Sequence, residues 1–391
     1  MEGRPAGAVS LEQVTRLGLD LLFLIPRESG GRETYARELI SAMLELDPAI
    51  RATAFANREA EGELRRTYGS QLSVVGLPVT ARRPGQWAIG ELALLPVAAA
   101  RAGVEIVHSL ANFAPAHGRF HRVITIHDLQ YRAVPQLLTA ARRAATAAMI
   151  GLAARKADRI IAVSESGARE LAASLPVPRE RIEVIPNGVG TPVSDAVPEA
   201  ELRDRYAIGN RRVVLSISTA LPHKNLGALF GALALLAPER RPLLVIAGLG
   251  TDGAPVRERA RAAGVETDIR LLGYQPPEVL EGLYRLARCV VMPTLYEGFG
   301  LPVLEAMARG VPVACSAIPS LRELVGDSAL MFSPQRTSEI AAAIEQLVLD
   351  DALRRELGEA GRGRASQFSW RRAAETTLAC YRKVLESGRR S

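Results

Sequence analysis

Cysteine is scarce. The chain has three in 391 residues, Cys289, Cys315 and Cys380, spaced too widely for a disulfide framework or a zinc pattern. A reducing, cytoplasmic setting is therefore expected. Aromatic residues make up only 5% and do not interleave with basic residues as a base-stacking surface would, so nucleic acid is not an expected partner. Lysine is nearly absent: Lys156, Lys224 and Lys383 are the three among 49 basic residues, and the rest are arginine. Long hydrophobic runs are missing too. Leu19–Ile25 is short of the roughly 20 residues a membrane helix needs and carries Asp20 inside it. No charged segment followed by an apolar one opens the sequence, so no export signal is expected.

What remains is a globular composition, 48% apolar and 23% charged, long enough for two domains. The net charge of +7 implies an anionic partner such as a phosphorylated substrate or, by peripheral contact, an anionic membrane surface. Short apolar, β-branched runs alternate with helical patterns throughout. The first half offers strands at Leu19–Ile25, Arg51–Ala56, Leu72–Val75, Val104–Val107, Val123–Ile126, Ile160–Val163 and Ile182–Ile185. The second offers Val213–Ile217, Leu243–Ala247, Ile269–Leu272, Cys289–Met292 and Val311–Ala314. This pattern predicts an α/β protein of two Rossmann-like doubly wound parallel sheets facing a cleft. The turn Pro186-Asn187-Gly188 marks the break, giving domains 1–190 and 191–368 and a terminal helix over 369–391 that packs back towards the first domain.

Several motifs fall at carboxyl strand ends, where open sheets bind ligands. Leu295-Tyr-Glu-Gly-Phe-Gly-Leu-Pro-Val-Leu-Glu-Ala-Met-Ala-Arg-Gly310 places Glu297 and Glu305 on either side of a glycine-rich corner. Free N–H groups at the start of the following helix suit oxygen-rich or anionic groups, and each carboxylate can accept two hydroxyl hydrogen bonds. Lys224, in Leu221-Pro-His-Lys-Asn225, can place an ammonium on a diphosphate. Ser29-Gly30-Gly31-Arg32 follows the first strand and can present N–H groups to a phosphate. His127-Asp128 ends a strand and points into the cleft, and His108 ends the preceding one. Gly248-Leu-Gly-Thr-Asp-Gly253 has the spacing of a dinucleotide fingerprint, but no acidic residue ends the next strand, so a tight turn is expected there.

The glutamate string resembles the Glu-x7-Glu motif of retaining GT-B glycosyltransferases of family 4, and the resemblance extends over most of the chain. It implies transfer of a hexosyl group, mannosyl or rhamnosyl in type, from a nucleotide-diphosphate sugar to a hydroxyl-bearing acceptor. No resident cofactor and no metal would be required. By the resemblance, Glu297 bonds sugar hydroxyls, Glu305 the ribose, and Lys224 the diphosphate. Backbone groups of Gly298, Phe299, Gly300 and Leu301 line the sugar and phosphates. Gly30 and Gly31 face the diphosphate from the other sheet, Gly273 and Tyr274 hold the base, and His127 contacts the sugar near the reacting carbon. His108 and Asp128 are expected on the acceptor side. His223 stands where the family often has arginine, and Ser218 near where it has another, which leaves the charge balance of the diphosphate open. Other readings of the same pattern are a sugar-nucleotide epimerase, a phosphorylase, or a non-enzymatic basic binding protein.

Overall fold

A computed structural model describes residues 16–249 and 253–388. Gly250, Thr251 and Asp252 of the glycine-rich turn lie outside the described residues. The first sheet contains β1 (Leu17–Leu21), β2 (Ala52–Ala56), β3 (Ser73–Gly76), β4 (Ile106–Ser109), β5 (His121–Ile126), β6 (Arg159–Ala162) and β7 (Ile182–Val184). Their spatial order is β3-β2-β1-β4-β5-β6-β7. The second sheet contains β8 (Val213–Ile217), β9 (Leu243–Ala247), β10 (Ile269–Leu271), β11 (Ala287–Met292), β12 (Val313–Ser316) and β13 (Leu330–Phe332), in the order β10-β9-β8-β11-β12-β13. All the adjacent pairs are parallel. In each sheet the winding reverses beside its first strand, the place where a crevice opens at the carboxyl edge. Both are Rossmann-like sheets covered by helices.

Burial explains the strand composition. β9 is Leu-Leu-Val-Ile-Ala and is buried throughout, as a central parallel strand between two helical layers must be. β1 ends at Leu21, four residues before the apolar run does, because the Leu24 N–H turns back onto the Leu21 carbonyl at 3.0 Å. Leu22, Phe23 and Leu24 are buried beyond the end of the ladder.

The chain crosses between the sheets near residue 188 and again near residue 369, and the crossings touch. Val189 bridges Ser369, and a Cβ on Gly188 would lie 2.0 Å from the Trp370 nitrogen. After the second crossing, the helix Trp370–Gly388 lies on the helix Gly31–Leu46. Its Trp370, Ala374, Leu378, Tyr381 and Val384 join the hydrophobic core of the first sheet. The last helix therefore belongs structurally to the first domain. Its Tyr381 hydroxyl lies 2.6 Å from Nδ1 of His108 in β4. Tyr381→Phe removes that partner from a fully buried ring, and we expect a loss of about 1–3 kcal/mol in chemical denaturation.

Candidate active site

The corner after β11 is built by its glycines for two different reasons. Gly300 caps the helix Leu301–Ala308 with φ +107°, a conformation that side chains rarely adopt, and a Cβ there would lie 2.5 Å from Leu321. Gly298 is required by a neighbour from the other sheet, since its Cβ would lie 2.0 Å from the carbonyl oxygen of His127. Its missing side chain thus lets the two sheets approach. Phe299 turns its ring into the core against Phe368, leaving only its backbone for a ligand. The Ser320 hydroxyl donates to the Glu297 carbonyl at 2.7 Å and fixes the backbone beneath the first carboxylate.

Glu297 and Lys224 are brought together directly: the Lys224 ammonium pairs with Glu297 Oε1, both side chains being largely shielded from solvent. Lys224 is held by a short turn after β8 that closes at Asn225, which has a left-handed backbone and whose side-chain amide donates to the carbonyls of Pro293 and Pro334 at 3.0 and 2.8 Å. Beside it His223 is buried and lies 2.9 Å from the Gln130 amide of the opposite sheet. Burial, with the Lys224 charge adding to it, lowers its pKa to about 4, so the ring is neutral at pH 7. Ser218 donates to the Thr219 carbonyl at 3.0 Å and adds no charge. Glu305 lies one helical turn into Leu301–Ala308, where its Oε2 accepts from the Tyr284 hydroxyl at 2.7 Å. Burial raises its pKa, an effect that Tyr284 and Arg309 oppose.

His127 follows β5 across the cleft. Its backbone N–H donates to Asn112 Oδ1 and its Nε2–H to the Leu110 carbonyl, both at 2.9 Å, while the Tyr35 ring packs edge-on at 4.7 Å. That bond places the proton on Nε2 and leaves Nδ1 as the free lone pair of a neutral ring. Burial is the main cause that lowers its pKa to about 4. The sign follows: an unfolded histidine takes up its proton near pH 6.5 and the folded one resists until about 4. Its contribution to stability is whole above pH 6.5 and is lost as pH falls towards 4. We expect the His127 resonances in an NMR titration to stay neutral through pH 6; protonation at 6.5 or above would contradict this environment.

Contacts across the cleft tie the sheets together. The Tyr296 hydroxyl accepts from the Leu129 N–H at 2.8 Å and donates to Glu170 at 2.9 Å, and the Ser164 hydroxyl donates to the Gly298 carbonyl at 2.9 Å. Glu323 accepts from the N–H groups of Glu165 and Ser166 at 2.7 and 2.9 Å, at the start of a helix on the other sheet. Leu301 packs against both cores and lies against Gly31, while Gly30 (φ +56°) opens the helix behind it. The Gly273 carbonyl accepts from the Gly248 N–H at 3.0 Å beyond the ends of β10 and β9, and the half-exposed Tyr274 looks across at the charges of Glu33, Arg27 and Arg37. Asn112, Gln130, Glu170 and Tyr296 were not anticipated from the sequence; Tyr296 alone carried a signal, lying inside the glutamate motif.

His108 is a correction. It was expected to line the acceptor side, but it is fully buried and both ring nitrogens have partners, Tyr381 at 2.6 Å and Thr125 at 2.8 Å. Burial lowers its pKa to about 3. The C-terminal helix covers the position, and His108 ties that helix to β5. Asp128 remains at the cleft, its carboxylate accepting from the Gln130 N–H at 3.1 Å. The other histidines are dispersed, and among the described residues no three potential ligands gather as a metal site.

A phosphate-ready corner, a paired lysine and glutamate, and a neutral histidine facing them are parts suited to a sugar nucleotide. Comparison with known proteins gives the family. The family model for glycosyl transferases group 1 matches residues 198–364, and that for Glycosyltransferase Family 4 matches residues 29–191. The chain belongs to this glycosyltransferase family. It is 33% identical over 279 residues to O-antigen chain mannosyltransferase B of Escherichia coli, covering 69% of this chain and 72% of that one. A serotype-specific mannosyltransferase, WbdA, also of Escherichia coli, is 30% identical over 241 residues, 59% of this chain but only 29% of that longer relative. Among solved structures, sucrose-phosphate synthase from Thermosynechococcus elongatus superimposes with a TM-score of 0.79 at 20% identity, covering 95% of this chain and all of that one (100%). Anabaena HepE in complex with UDP and glucose gives 0.74 at 19% identity, covering 95% and 100%. These structures share the GT-B fold. No helix among the described residues is long and apolar enough to cross a membrane.

Proposed function

We propose that the protein transfers a hexosyl group, mannosyl by preference, from a nucleotide-diphosphate sugar to a hydroxyl acceptor, with retention at the anomeric carbon and without a metal ion. The observation that carries this reading is the Lys224–Glu297 pair at the carboxyl edge of the second sheet, facing neutral His127 on the first. The donor's diphosphate takes Lys224 and the N–H groups opening the helix Leu301–Ala308, and Glu297 turns its freed oxygens to sugar hydroxyls. Glu305 keeps one oxygen on Tyr284 and offers the other to a ribose diol. His127, with its proton committed to Leu110, offers a lone pair and no charge beside the reacting carbon.

As the bond from the anomeric carbon to the phosphate oxygen breaks, negative charge collects on the diphosphate, where Lys224 stabilises it. The acceptor hydroxyl attacks the same face, and the departing phosphate takes its proton. No protein base is needed on that face. The acceptor side is the first sheet, around Asn112 and Asp128. The mannosyl preference follows from relatives whose names carry it at about 30% identity. Peripheral contact with an anionic membrane is proposed from the arginine surplus, which includes the exposed Arg142. The test is release of nucleoside diphosphate from GDP-, UDP-, dTDP- and ADP-sugars, with and without EDTA, and the anomeric configuration of the product by NMR. An inverted product, or activity abolished by EDTA, would contradict the mechanism.

A further inference from the structure

We infer that Arg32, on the first turn of the helix Gly31–Leu46, is the second cation of the diphosphate site and reaches the donor from the opposite sheet. The inference rests on the transferase reading and follows from charge. A sugar nucleotide carries negative charge on both phosphates. The second sheet meets it with Lys224, whose charge is already matched by Glu297, with a neutral His223, and with the uncharged Ser218. Its side chains at this place therefore sum to no net charge.

The first sheet supplies what is missing. Gly31, just before Arg32, packs against Leu301 at the start of the helix that receives the phosphates, a Cβ on it lying 3.4 Å from Leu301 Cδ1. The Arg32 guanidinium lies 5.8 Å from the centre of the Phe23 ring and feels the charge of Asp128. Its own field reaches His127, whose carbonyl touches Gly298. Arg32 thus lies within electrostatic reach of Asp128 and His127, and Asp128 acts in turn on His223 beside Lys224. It makes no ion pair within 4 Å among the described residues, whereas Arg37 on the same helix is held by Glu33 and Glu63 at 2.9 and 2.7 Å. A guanidinium kept near by Asp128 without a close carboxylate is free to turn its planar fork to phosphate oxygens.

The test is calorimetric titration of wild type, Arg32→Ala, Arg32→Lys and Arg240→Ala with whichever of GDP, UDP, dTDP and ADP binds the wild type best. Arg240 is an exposed arginine at the opposite edge of the second sheet and controls for net charge. The expected result is a Kd raised about tenfold or more in Arg32→Ala, partly recovered in Arg32→Lys and unchanged in Arg240→Ala. Unchanged affinity in Arg32→Ala, while Lys224→Ala loses it, would overturn the assignment and leave the transferase reading intact. A fall in kcat with unchanged nucleotide affinity would also overturn it, placing Arg32 in the positioning of Asp128 and His127. No binding by the wild type would overturn the reading on which the inference rests.

Discussion

Glu297→Gln lowers turnover by about 10²–10³-fold, the scale expected when a preorganised polar contact to the transition state is lost. The same change leaves the affinity for free nucleoside diphosphate intact or improves it. The reason is the ion pair: in the unliganded protein Glu297 holds the Lys224 ammonium, so an incoming diphosphate must first displace a carboxylate. Glutamine is nearly isosteric, keeps the Ser320 anchor on the backbone carbonyl, and releases the lysine. Steady-state kinetics with the sugar nucleotide, beside calorimetry with the diphosphate alone, separates the two effects. Parallel losses in kcat and in diphosphate affinity would mean that Glu297 acts on the phosphates. Normal turnover would remove it from the site.

Lys224→Ala produces the complementary pattern. A charge-assisted bond to phosphate is worth about 1.5–3 kcal/mol, so Kd for the diphosphate rises by roughly 10–100-fold. It also leaves Glu297 as an unpaired, largely shielded carboxylate beside the phosphates, which adds repulsion to the lost attraction. Turnover falls further than binding, because the charge on the leaving diphosphate is larger in the transition state than in the bound donor. The double variant Lys224→Ala/Glu297→Gln binds the diphosphate better than Lys224→Ala alone. Additive losses in this cycle would show that the pair is not coupled in solution.

Particular elements show what could be read from the sequence. β8 and β9 stand at their anticipated bounds, since central strands buried on both faces are continuous apolar runs between polar turns. β13, at an edge and three residues long, gave no such run and was not anticipated. The position of β1 was shifted because burial continues through Leu24 after the ladder ends. In the site, the short-range chemistry was legible: the corner around Gly300, the turn carrying Lys224 and the strand end at His127 are each fixed by a few neighbours in the chain. Contacts between distant segments were not legible. Nothing near His108 reveals that a tyrosine 273 residues later covers it. Nothing near Gly298 reveals that the His127 carbonyl occupies the place of its side chain. The direct pairing of Lys224 with Glu297, 73 residues apart, required the turns after β8 and β11 to meet.

The measurement that bears most directly on the cleft as a donor site is calorimetric binding of GDP, UDP, dTDP and ADP to the purified protein and to Lys224→Ala, each with and without EDTA. One nucleotide should bind well above the others, unaffected by EDTA and weakened at least tenfold in the variant. Failure of all four to bind the wild type, or binding indifferent to Lys224, would contradict a diphosphate site at the carboxyl edge of the second sheet.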